Sequence, residues 1–185
     1  MYKICHSTQA VRRQREMEQT LLQLMLQRRY EDITVSDLCD TLQIPRRAFY
    51  RYFSGKEGAL YALIDHTLAG FFETPIESIQ HKGMALEELT QTFCFWKNNR
   101  RLLDALSRSN ISGILLERAS AFALREGYMP QRFKLYEPQV QELALSFSIC
   151  GLMSMILVWH KQDFLLSPQE VSRLAGSLLQ NPLIP

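Results

Sequence analysis

Cysteine is sparse and scattered in this chain of 185 residues: Cys5, Cys39, Cys94 and Cys150 form no CxxC pair, and no histidine stands at metal-ligand spacing from any of them. That pattern excludes a sequence-local zinc site and a disulfide framework. Cys5 and His6 are adjacent but lack further ligands, and His66, His81 and His160 are isolated. We therefore expect no metal, no cofactor and unpaired thiols of a reducing, cytoplasmic setting. Glycine-rich phosphate loops are missing, as are a nucleophile beside a base and a suggestive pair of carboxylates, so an enzyme is not expected. There is no alternating run of β-branched residues and no Asn-Gly hairpin signal, which argues against sheets. Met1 to Ala10 contains no apolar run of the kind a secretory signal needs.

What is present points to helices. Apolar residues make up 46% of the chain and charged ones 22%, a balance that favours a packed core over disorder. The net charge of +2 is unevenly spread. Residues 1–56 hold ten Lys or Arg against six Asp or Glu, whereas the rest holds eleven against thirteen. A positive front on a nearly neutral body is the sign expected of a nucleic-acid module joined to another domain.

Apolar periodicity predicts an all-α fold of about nine helices. The first runs from about Thr8 to Arg29, with Val11, Met17, Leu21, Leu24 and Met25 on one stripe and Arg12, Arg13 and Arg15 on the polar side. Thr34 and Asp37 form a carboxylate variant of the capping box, opening a short helix to Leu42. Pro45 suits the first turn of the next, which reaches Phe53, because its missing N–H is an orphan there anyway. Ser54 with Glu57 repeats the box and opens a longer helix toward Phe72, closed by Pro75. Further helices are expected over Ala85–Asn98, Arg101–Leu106, Ser112–Arg125 and Leu135–Lys161. A last one opens at Ser167-Pro168-Gln169-Glu170, with Val171, Leu174 and Leu178 as its stripe and Asn181-Pro182 as its end. The punctuated short helices all lie upstream, so a boundary is placed near residue 72, giving domains 1–72 and 73–185.

Two short helices joined by a tight connection must cross steeply, the geometry of a helix-turn-helix. Phe49 and Phe53, one turn apart, can pack inward with Val35, Leu38, Leu42 and Ile44. Arg46, Arg47, Tyr50 and Arg51 then point outward. Arginine in the first turn of such a helix can grip guanine edges with two parallel donors, and Tyr50 and Tyr52 can reach phosphate. Lys56, at the start of the next helix, adds an ammonium beside free backbone N–H groups.

"YEDITVSDLCDTLQIPRRAFYRYFSGKEGALYALI", Tyr30 to Ile64, resembles the DNA-binding domain of TetR/AcrR-type transcriptional regulators. The likeness rests on the Thr-Val opening, the Phe-Tyr-x-Tyr-Phe core of the second short helix and the Ser-x-Lys-Glu-x-x-Leu entry to the next. It departs at Leu42-Gln43, where relatives carry Ala-Gly, and at Pro45, where they carry a Ser or Thr cap. If Gln43 is left-handed, the turn costs about 1 kcal/mol. The resemblance implies a DNA-binding set of Thr34, Ser36, Arg46, Arg47, Tyr50, Arg51, Tyr52 and Lys56.

Farther on, "FCFWKNNRRLLDALSRSN" and "SFSICGLMSMILVWHKQDFLLSPQEVSRLAGSLL" are similar to that family's regulatory domain. Leu143 to Trp159 carries no charge over seventeen residues, about 25 Å of helix and short of the roughly 30 Å hydrocarbon core, so burial rather than a membrane is expected. Ala144, Ser148, Gly151 and Met155 form a seam for a second copy, with Leu145, Leu152, Ile156 and Trp159 serving the protomer's own core. The resemblance further implies a small apolar or amphipathic effector, for which Phe72, Phe93, Trp96, Met129, Tyr136 and Trp159 are candidate wall residues. The function expected is a homodimeric, ligand-responsive repressor on a palindromic duplex operator. An activator or co-activator of the same fold, a DNA-binding dimer without effector, and a helical interaction protein whose basic patch binds another anion remain open.

Overall fold

A computed structural model describes residues 1–72, 86–127 and 134–180. Among these the chain is all-helical: α1 (Thr8–Gln27), α2 (Val35–Leu42), α3 (Arg46–Phe49), α4 (Lys56–Phe72), α5 (Leu86–Asn98), α6 (Arg100–Arg108), α7 (Gly113–Arg125), α8 (Pro138–Lys161) and α9 (Pro168–Gln180), with one 3-10 turn at Tyr30–Asp32. Expected punctuation at Pro75, Asn181 and Pro182 lies outside the described residues, as do Met129 and the side chain of Phe72. Two compact units are present. One comprises residues 1–69 with 101–112, the other 70–100 with 113–185.

In the first unit, α1 begins at Ser7, whose hydroxyl accepts from Ala10 N–H at 3.3 Å. Its buried row is Gln14, Met17, Glu18, Leu21, Leu22 and Met25. Val11, expected on that stripe, is exposed. Its place is taken by polar residues with dedicated partners. Gln14 donates to Lys3 O at 3.1 Å, and Glu18 pairs with His66 Nδ1 at 2.9 Å and Arg15 at 3.3 Å. The other Glu18 oxygen is buried without a partner among the described residues. Desolvation pushes this carboxyl up to about 8, against the pull of Arg15.

The first residues of the chain run across the start of α4. Lys3 N–H donates to Tyr52 O at 2.9 Å, Tyr2 hydroxyl donates to buried Asp65 at 2.7 Å, and Ser54 bonds Met1 through both backbone and hydroxyl. Ser54 is thereby diverted from the capping box expected with Glu57, whose carboxylate instead accepts from Tyr61 at 3.0 Å. A Cβ at Gly58 would stand 2.3 Å from Met1 O, so only glycine admits this close approach. Just past α6, Ser109 accepts the Tyr30 N–H at 2.9 Å.

The second unit packs α5 on α9 and α7 on α8. Pro138 opens α8 three residues later than expected because it has no N–H to extend a helix upstream. The Ser167–Glu170 capping box forms in both directions, at 2.7 and 3.3 Å. In α9 the buried residues are Val171, Ser172 and Ala175, while Leu174 and Leu178, expected on the core stripe, face outward. By length and composition, α8 is the one described helix able to cross a membrane, with mean hydropathy 1.8, yet only 22% of that window is buried.

Candidate nucleic-acid interface

Local chemistry builds the interface from α2 upward. Thr34 accepts the Asp37 N–H at 3.2 Å while Asp37 accepts the Thr34 N–H at 2.7 Å, the reciprocal cap expected from the spacing and worth about 1 kcal/mol. These hydrogen bonds to Thr34, then Arg28 at 3.1 Å, hold the Asp37 carboxyl down at about 2. At its other end α2 closes on Gln43, left-handed at φ 53° and ψ 44°, with Ile44 N–H donating to Cys39 O at 2.9 Å. The Gln43 expectation thus holds.

Pro45 is not inside the next helix but just before it, at φ −69° and ψ 145° in the capping position, where it offers no side-chain acceptor. Regular helix lasts only four residues, Arg46–Phe49, instead of reaching Phe53. Helical hydrogen bonding still recurs, for Tyr50 N–H donates to Arg46 O and Phe53 N–H to Phe49 O. Phe49 and Phe53 are buried with centroids 5.1 Å apart, each contributing about 2 kcal/mol by its removal from water. Leu38 is buried with them, while Val35, Leu42 and Ile44 are half-buried.

Outside this core, Arg46, Arg47, Tyr50 and Arg51 are exposed. The Arg46 guanidinium donates to the Ser36 hydroxyl on α2. Arg47 and Arg51 hold no hydrogen bond or ion pair among the described residues. Thr34 is exposed, and Ser36 and Tyr52 are half-buried.

Lys56 requires a correction. Its ammonium donates to three backbone carbonyls, Ile33 at 2.6 Å, Tyr30 at 2.7 Å and Glu31 at 3.0 Å, and lies 4.5 Å over the Tyr30 ring. An ammonium has three N–H groups, so none is left for a phosphate. Burial lowers its pKa, against the nearby acids Asp32 and Glu31. Lys56 ties the segment before α2 to the start of α4.

A cleft of about 560 Å³ opens beside α3. Met17, Ile44 and Ala48 line its apolar part, and Arg13, Arg47 and Arg51 supply its charge. Arg13 is the residue that sequence reasoning left on a solvated face. One signal could have placed it: 13, 17, 21 and 25 share a helical row, so Arg13 heads the ridge on which Met17, Leu21 and Met25 are buried.

Four of the effector candidates lie within the described residues: Phe93, Trp96, Tyr136 and Trp159. Phe93 and Trp159 meet edge to face at 5.5 Å in the second unit's core, and Trp159 Nε1 donates to Leu166 O at 2.9 Å. Trp96 is fully buried and its Nε1 has no acceptor among the described residues, whereas Tyr136 is exposed. On α8, Leu145, Ile156 and Trp159 are buried as expected. The proposed seam is only partly open: Ala144 packs on the Ala123–Leu145 cluster, Ser148 and Met155 are half-buried, and Gly151 is exposed. Among the described residues, no group of three or more His, Cys, Asp or Glu could hold a metal ion.

A profile described as bacterial regulatory proteins, tetR family, matches residues 20–63. A sequence search of curated proteins gives no match. Among solved structures, a TetR-family transcriptional regulator from Syntrophomonas wolfei shares the fold at TM-score 0.66 and 14% identity, covering 95% of this chain and 98% of its own. The fatty acid degradation regulator FadR from Bacillus halodurans does so at 0.59 and 15%, covering 98% and 99%. The dihydroxyacetone kinase operon activator DhaS does so at 0.58 and 16%, covering 90% and 93%. Residues 20–63 thus match the model of the tetR family of bacterial regulatory proteins, and nearly the whole chain shares the fold of these solved regulators.

Proposed function

We propose that the protein is a cytoplasmic, sequence-specific DNA-binding repressor acting as a homodimer, with residues 1–72 meeting DNA and 73–185 serving dimerisation and effector binding. The observation that carries this reading is the face of α3: exposed arginines and a tyrosine on one side, Phe49 and Phe53 sealed on the other. Arg46 and Tyr50 suit base edges and the adjoining backbone, with Thr34, Ser36 and Tyr52 flanking them. Repression follows from a dimer that covers its duplex. The activator reading is kept because DhaS, of the same fold, is described as an operon activator.

For the dimer, α8 offers a stripe of exposed residues: Val140, Leu143, Phe147, Gly151, Ser154 and Val158. Phe147 is 76% and Leu143 71% exposed, a loss that a second copy would repair. This stripe is rotated by roughly 70° about the helix axis from the seam through Ala144, Ser148 and Met155. Leu174 and Leu178 on α9 add exposed leucines to the same unit. An uncharged run from Leu143 to Trp159 left bare on one face is explained by a partner of the same kind, without a membrane. For the effector, Trp96 Nε1 is the buried donor that an acceptor-bearing apolar molecule would satisfy.

In vitro selection from random duplexes tests the function directly. The expected result is a palindrome whose half-sites are centred about 34 Å apart, one helical turn. A pool that shows no enrichment overturns the reading.

A further inference from the structure

We propose that the cleft between α1 and α3 is a phosphate track: one strand's sugar-phosphate backbone lies in it, held by Arg13, Arg47 and Arg51. This rests on α3 entering the major groove, and it divides the arginines into two jobs. Arg47 and Arg51 are i and i+4 and turn toward the cleft, whereas Arg46 and Tyr50, also i and i+4, share a neighbouring row. The first pair grips backbone and the second faces base edges.

Three observations favour a nucleic-acid strand. The charge is only partly compensated: among the described residues Arg47 and Arg51 have no ion-pair partner, and Arg13 shares Glu16 with Arg12, at 3.1 and 3.2 Å. The cleft also has an apolar part, lined by half-buried Ile44 and Ala48 over the buried Met17. A strand of DNA matches both features, because it alternates phosphates with weakly polar sugars. The cleft is also walled by α3 itself, so its occupant must run alongside that helix, and a helix in the major groove has a backbone at its flank.

Arg12 supplies an internal control. It is on the same helix, bears the same charge and pairs with the same glutamate, but it is 82% exposed against 50% for Arg13 and does not line the cleft. Loss of net charge alone would affect both equally.

The test is fluorescence anisotropy with a mixed-sequence duplex of about 30 bp and with the selected site, across a salt series. Arg13→Ala and Arg51→Ala should each weaken both duplexes by a similar factor and lower the slope of log affinity against log salt by about one. Between 50 and 200 mM salt, that difference corresponds to about a fourfold change in the relative loss of binding. Arg12→Ala should leave the slope near the wild-type value, and Arg13→Lys should keep it. Arg46→Ala should instead reduce the ratio of selected to mixed affinity. Circular dichroism verifies that each variant is folded, and the lysine variant carries the test if the alanine variant is not. An Arg13→Ala slope equal to that of Arg12→Ala overturns the track while leaving the regulator intact. So does polyglutamate outcompeting the mixed duplex, which would assign the cleft to an acidic protein. A wild-type chain that binds no duplex overturns both.

Discussion

α3 and α8 solve opposite problems. The first has four residues of regular helix and is held from outside, by the capped α2, the left-handed Gln43 and the pair Phe49–Phe53. The second has twenty-four and holds itself, with no charge from Leu143 to Trp159 and a bare apolar face. The short helix leaves cations without partners, and the long one leaves hydrocarbon without cover. Such surfaces do not compete for the same occupant, since one is cationic and the other apolar.

The contrast can be broken most completely on α8. Phe147→Glu puts a carboxylate in the middle of the exposed stripe, and we expect monomers at concentrations more than about 100-fold above those that keep the wild type dimeric, measured by sedimentation. An unchanged dimer would discard this face. On the other side of the comparison, Lys56→Met leaves three carbonyls without their donor and should lower stability by about 3 kcal/mol in urea unfolding. A loss too small to measure would restore the ammonium to DNA contact.

Glu18 gives a pH-dependent version of the same question. Its carboxyl ionises near 4.5 when unfolded and near 8 when folded. Between those values the folded state holds the extra proton, so stability falls as pH rises through the window and levels off above it. Glu18→Gln should flatten that fall and raise stability at pH 9 by roughly 2 kcal/mol, followed by thermal unfolding at several pH values. The smallest effect is at the turn. Gln43→Gly relieves a left-handed side-chain residue and should stabilise by about 0.5 kcal/mol after the added entropy of the unfolded chain is counted.

Features set by neighbours in sequence were legible before any coordinates. The Thr34–Asp37 and Ser167–Glu170 caps, the left-handed Gln43 and the inward pair Phe49 and Phe53 all depend on spacings of three or four residues. What escaped depends on distant parts of the chain. Ser54 reads as a cap until Met1 claims it, and Lys56 reads as a free cation until three carbonyls surround it. On α8 the difficulty is different, because a helix apolar all round carries no contrast to say which face goes inward. The seam was therefore drawn from small residues, and Ala144 turned out to pack on α7. Arg13 was hidden by its company: in a run of arginines with glutamates nearby, only the buried row below it distinguishes it from Arg12.

The first unit is discontinuous, since residues 101–112 return to it after an excursion of some thirty positions. Leu102, Leu103, Ala105 and Leu106 are buried, and the acceptor for the Tyr30 N–H is on Ser109. On the ribosome, a chain that has emerged only as far as α4 cannot complete this unit. At about 5–20 residues per second, the wait for α6 lasts seconds. During that interval the surface that α6 covers stays exposed, so the first unit is completed by residues that follow its other helices by some thirty positions.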